Sequence, residues 1–149
     1  MEELLKIENL SVSIASPAGT VQAVRDVSFS LYPGEVLAIV GESGCGKSIL
    51  CKSIMKLLPK SAKIDSGRVL ANGVDITNYS ERDMRKLRGK LFSMIFQDPM
   101  TTLNPTVPIG RQIAEAILIH EPKLGKEAVY NRVIELMELV GIQEPKQRY

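Results

Sequence analysis

Eight residues carry most of the chemistry legible in this chain: Gly41, Glu42, Ser43, Gly44, Cys45, Gly46, Lys47 and Ser48. Glycine, four residues, then glycine-lysine-serine is the spacing of a phosphate-binding loop. The glycines let the backbone turn tightly and approach an anion with no Cβ in the way. Successive N–H groups at the start of a helix then present a ring of donors to phosphate oxygens. Lys47 adds a mobile positive charge for the β- and γ-phosphates, and the Ser48 hydroxyl is placed to ligate Mg²⁺. A chance glycine-rich turn has the same composition. The flanking pattern argues against it, because the loop follows an apolar run and opens an apolar-periodic helix. The expected ligand of residues 41–48 is therefore a nucleotide.

A second candidate is Gln97, at the end of an apolar run, where the ligand-facing residues of an α/β sheet collect. Its amide is suited to touch Mg²⁺ or a water near a γ-phosphate. Read from position alone, an ordinary polar strand terminator is the better reading. Cys45 lies inside the loop beside Lys47 and a helix N-terminus, a setting that favours a reactive thiol. For function, the plainer reading is a cysteine standing where a small side chain suffices. Cys51 shares a helix face with core residues and is expected to pack. His120, the only histidine, lies in an amphipathic stretch and reads as a solvated helix residue.

The elements that must hold these residues follow from the hydropathy pattern. Leu10, Ser11, Val12, Ser13 and Ile14 alternate as in a half-buried strand; Pro17, Ala18 and Gly19 break it, and alternation resumes from Val21 to Leu31. Residues 36–40 and 91–96 are apolar without alternation, as in strands covered on both faces of a parallel sheet. Between them the pattern predicts a helix carrying Ile49, Leu50, Ile54, Leu57 and Leu58, ended by Pro59. A strand over 68–71 and an Asn72-Gly73 hairpin turn follow. Ser80 with Asp83 then caps a short helix that Gly89 closes. Residues 98–108 read as a loop. The remainder is helical, with Ile113, Ala116 and Ile117 on one face and Val129, Val133, Ile134, Met137 and Val140 on another, capped by Gly141.

The bulk numbers set limits. The chain has 149 residues, 44% of them hydrophobic, enough for one cored domain. Nineteen basic against seventeen acidic residues leave a net charge of +2, which gives no support for a nucleic-acid partner. Two cysteines are too few for a disulfide framework, and no apolar stretch is long enough to span a bilayer. With an acidic start at Met1, Glu2 and Glu3, the expectation is a cytoplasmic chain that any membrane work requires others to hold in place.

Taken together, the loop at 41–48, Gln97 and the phrase from Phe96 through Asp98, Pro99, Met100, Thr101, Thr102, Leu103 and Asn104 to Pro105 resemble the ATP-binding domain of an ABC transporter. The phrase is similar to the Q-loop region of the oligopeptide and dipeptide importer ATPases, whose relatives serve nickel and glutathione uptake. The resemblance covers essentially the whole chain. It implies an α/β fold with a P-loop NTPase core, incomplete here: an antiparallel β-subdomain and P-loop core over 1–97, then the Q-loop segment and the start of a helical subdomain over 98–149. It implies ATP and Mg²⁺ as ligands, with residues 41–48 and Gln97 at the nucleotide and Ser48 and Gln97 at the metal. Its implied partners are permease subunits docking after Gln97, a second ATPase subunit (identical or different), and, through the permease, an extracytoplasmic solute-binding protein. The implied setting is cytoplasmic and peripheral, on the inner face of the cell membrane. Two departures stand out. The position where relatives present an aromatic residue to adenine is Ile14, a loss of about 1 kcal/mol of stacking. The signature motif, the Walker B carboxylates and the switch histidine are expected beyond Tyr149, so no catalytic residue is assigned and the chain by itself is expected not to turn over. Three rivals differ in class: a small P-loop kinase, a non-transport ABC protein, and a remnant that binds nucleotide or nothing. The Q-loop phrase and the β-rich front argue against the first two; the remnant stays open.

Overall fold

The computed structural model describes residues 2–97 and 102–149. Asp98, Pro99, Met100 and Thr101, the middle of the Q-loop phrase, lie outside the described residues. The chain forms two units, residues 1–85 and 86–149.

In the first unit, β1 (Leu5–Ser16) and β2 (Gly19–Leu31) make the hairpin that the alternating patterns predict. β3 (Ala62–Ala71) pairs on the other side of β1, and the two-residue β4 (Val74–Asp75) closes an antiparallel sheet of order β2-β1-β3-β4. The β3–β4 turn has Asn72 at φ 49° and Gly73 at φ 76°, the two positive values that a tight hairpin of matching twist requires. Helix α1 (Lys47–Ile54) packs on β1 and β2, and Leu50 and Ile54 join Ile7, Leu10, Val12, Val24 and Val69 in the buried set. The predicted helix runs on to Pro59, but α1 stops sooner: Met55 caps it and Lys56 takes a left-handed φ of 52°. The Lys56 ammonium donates to the Tyr79 carbonyl at 2.6 Å, which holds the chain away from a further turn. Ser80 accepts from the Asp83 N–H at 3.3 Å and donates to its carboxylate at 2.6 Å, starting α2 (Glu81–Leu87) as the capping pattern requires.

Two expected core strands do not form. Residues 36–40 carry no strand pairing, and Val36 and Val40 stand 93% and 87% exposed. Residues 91–96 are likewise not a strand; Phe92 makes one isolated bridge with Arg88, and Ile95 is fully open to solvent. The physical reason is that a strand exists only as part of a ladder. Their composition suits burial on both faces, but among the described residues neither is hydrogen-bonded into a sheet.

In the second unit, α3 (Ile109–His120) and α4 (Lys126–Leu139) pack through Ala114, Val129, Val133 and Met137, flanked by Ile113, Ile117, Leu124, Ile142 and Tyr149. Ala114 takes the interior place expected of Ala116, which is exposed, because Ile113, Ala114 and Ile117 form the stripe that meets α4. Val140 is outside the helix and exposed. Gly141 at φ 76° ends α4: its N–H bonds to the Glu138 carbonyl and the Ile142 N–H to that of Met137, both at 2.9 Å, and Ile142 folds back onto the cluster. A turn of 3₁₀ helix at Pro145–Gln147 brings Tyr149 edge-on to Tyr130, with ring centroids 4.7 Å apart. Among the described residues, no helix is long and apolar enough to cross a membrane.

Candidate functional site

The loop at 41–48 emerges from residues 36–40 and leads directly into α1, whose first residue is Lys47. Gly44 and Gly46 have φ values of 82° and 96°, conformations L-residues with side chains adopt only under strain. Gly46 is the N-cap of α1. No side chain caps the helix; the Gly46 carbonyl accepts from the Leu50 N–H at 2.9 Å as the first helical bond. The remaining first-turn N–H groups have no intrahelical partner, which is the condition for anion binding at a helix start.

Lys47 reaches back over the loop it ends. Its ammonium donates to the Gly41 carbonyl at 2.8 Å and the Glu42 carbonyl at 2.6 Å, and its Nζ lies 3.3 Å from Cys45 Sγ. The two carbonyls are neutral, so a phosphate oxygen is a stronger acceptor for the same ammonium. Ser48 is exposed one residue further on. Cys45 is exposed and free, and its sulfur folds against Gly41, where a Cβ would come within 2.7 Å of it. The glycine cradle, the ammonium and the adjacent hydroxyl fit a magnesium-bound polyphosphate. Ser48 would give the metal one oxygen.

Gln97 lies in the second unit, exposed, in a bend at the edge of the described residues. Cys51 is half-buried on α1. His120 is not the fully solvated residue expected: it is half-buried at the end of α3 with its ring against Gly89, which has no Cβ to obstruct it. Ile14 pairs with Val21 on β2 and Ala62 on β3 and is half-buried. One neighbour of the loop was not legible. The Ala23 carbonyl on β2 lies where a Cβ on Gly46 would overlap it. Nothing in the type of an alanine signals such a contact.

The ABC transporter family model matches residues 24–149. The chain belongs to the ABC transporter family. It is 53% identical over 149 residues to the dipeptide transport ATP-binding protein DppD of Bacillus subtilis, covering 99% of this chain and 44% of that protein. It is 49% identical to the oligopeptide transport ATP-binding protein OppD of the same organism, over 97% of this chain and 40% of that protein. The chain thus spans less than half the length of these relatives. Among solved structures, the dimeric bacterial ABC transporter cassette MJ0796 superposes with a TM-score of 0.80 at 20% identity, over 94% of this chain and 58% of that one. That likeness establishes the fold: an incomplete α/β ABC cassette, with the antiparallel sheet in the first unit and the helical segment in the second.

Proposed function

We propose that this chain carries the ATP-binding face of the energy-coupling subunit of an ABC importer for peptides or similar small solutes. The observation that carries the reading is the Lys47 ammonium held over a glycine-formed helix start by carbonyls that a polyphosphate can replace. The peptide-transport names of the relatives support the solute class. In this reading residues 41–48 hold the triphosphate, the Ser48 hydroxyl joins the Mg²⁺ shell, and Gln97 is the amide that senses the γ-phosphate. Residues 1–97 form the β-subdomain and P-loop core, and residues 98–149 the docking segment for a permease. The bound nucleotide supplies a γ-phosphoryl group whose transfer to water is the energy source. The residues of this chain orient it and neutralise its charge. A second ATPase subunit completes the closed form, a solute-binding protein feeds the permease from outside, and the assembly sits peripherally on the inner membrane face.

The test is titration calorimetry of the chain with MgATP and, separately, with magnesium inorganic triphosphate. Binding of both at one site is expected. A folded chain that binds neither would refute the phosphate-loop assignment and the function built on it.

A further inference from the structure

The β1–β2 ladder is interrupted beside the phosphate loop. Val12 faces Val24 and Ser13 faces Gln22, so one step along β1 is matched by two along β2, and the extra residue is Ala23. This is a β-bulge, which takes one residue out of pairing and re-aims its backbone. The side chains beyond it give no reason for the irregularity, since Gly19, Thr20, Val21 and Gln22 are all exposed. Its consequence lies at Ala23 itself. The carbonyl of this residue meets Gly46, and Val24 Cγ2 lies 3.8 Å from where a Gly46 Cβ would stand. Val24 is buried, paired to the fully buried Val12, so the backbone carrying that carbonyl is anchored from below. On the helix side, the Gly46 carbonyl accepts a hydrogen bond from the Leu50 N–H.

We propose that Ala23 is a positioning residue for the phosphate loop: the bulge sets its backbone carbonyl as the stop against which Gly46 sits, and so fixes the first turn of α1 from which Lys47 and Ser48 act. The proposal rests on the phosphate-loop reading, and it assigns to the antiparallel sheet a direct part in phosphate affinity. Deleting Ala23 makes Val12–Val24 and Ser13–Gln22 consecutive pairs and removes the shift between Val12 and Ser13, while the shifts at Ile7/Leu10 and Leu10/Val12 stay where they are. The change is confined to the residue that carries the stop.

Two measurements decide it, both with magnesium inorganic triphosphate, which has no base to touch the sheet. The first is a double-mutant cycle by titration calorimetry of the wild type, Gly46→Ala, the Ala23 deletion and the two combined. Gly46→Ala forces a strained φ in either background, so that cost cancels; the overlap with Ala23 exists only in the intact sheet. The loss of affinity from Gly46→Ala is expected to be about fivefold or more smaller in the deletion background, as for residues in contact. Additive losses would overturn the proposal. The second is hydrogen exchange on the unaltered chain, which decides alone if the deletion does not fold. Triphosphate binding is expected to slow exchange across residues 21–25 together with 41–48, and protection confined to 41–48 would overturn the proposal. Failure of the unaltered chain to bind triphosphate would defeat the phosphate-loop reading itself, a separate outcome.

Discussion

Replacing Lys47 by alanine removes a cation held over the phosphate loop, and the size of the effect follows from what the ammonium does before and after binding. In the free chain it spans the carbonyls of Gly41 and Glu42 at 2.8 and 2.6 Å. On binding it exchanges these neutral acceptors for phosphate oxygens, and hydrogen bonds to charged groups contribute a net 1.5–3 kcal/mol or so. The alanine variant also loses the two bonds that close the loop on itself. It must then order the loop on binding, which adds to the loss and does not offset it. An affinity reduction of about ten- to a hundredfold is therefore expected for MgATP, and by nearly the same factor for inorganic triphosphate, since Lys47 addresses only phosphate. Titration calorimetry of the folded variant reads both. Equal affinity of variant and wild type would refute the reasoning, and a loss seen with ATP but not with triphosphate would place Lys47 at the wrong end of the nucleotide.

Three further outcomes are expected. The exposed thiol of Cys45, 3.3 Å from the Lys47 ammonium, should label rapidly with a maleimide. MgATP should suppress that labelling, and the labelled chain should no longer bind nucleotide; equal labelling with and without nucleotide in a binding-competent sample would mean that the thiol points away. The chain by itself should release no phosphate from ATP above background, because the described residues supply positioning but neither a second metal carboxylate nor a base for water. In a colorimetric assay, steady turnover abolished by Lys47→Ala would contradict this. Finally, the sheet should weaken in acid. Glu8 is held below the ordinary carboxylate value by its hydrogen bond to Lys6 and by Arg68 at 2.6 Å, and Asp75 likewise by its bonds from Thr77. A lowered folded value means stability present above pH 4.5 and lost as the pH falls through it. The thermal midpoint of Glu8→Gln should accordingly fall less between pH 6 and about 3 than that of wild type.

The parts of the fold set by local chemistry were the parts legible in advance. Asn72-Gly73 specifies its turn by the positive φ it tolerates, Ser80 and Asp83 their helix start, and Gly141 its helix end; each depends on residues within one or two turns of chain. The interior faces of α3 and α4 were legible to within a residue, since a period of 3.6 leaves Ala114 and Ala116 to be separated only by where α4 approaches. Residues 36–40 and 91–96 were misread for a different reason. Apolar runs report that a segment suits burial, but pairing belongs to two segments at once, and among the described residues neither is paired into a sheet. The bulges were invisible for the same reason. Ala23 and Asp65 are each the extra residue of a register shift against β1, and only the ladder shows this.

This contrast bears on how the phosphate loop keeps its shape. In the sequence reading, the strand over 36–40 carries the loop, yet that segment is unpaired and exposed while the loop is fully formed. What holds it lies on its other side and within itself. The Lys47 ammonium ties the first two residues to the last turn, the Leu50 N–H fixes the Gly46 carbonyl, and Ala23 blocks Gly46 from moving toward β2. α1 in turn is held by Leu50 and Ile54, buried with Ile7, Leu10 and Val12 of the sheet. The cradle is thus built from the helix outward and braced by the antiparallel sheet. Two of its three ties end on Gly46, so the conformation of that one glycine joins the sheet, the helix start and the phosphate-facing backbone.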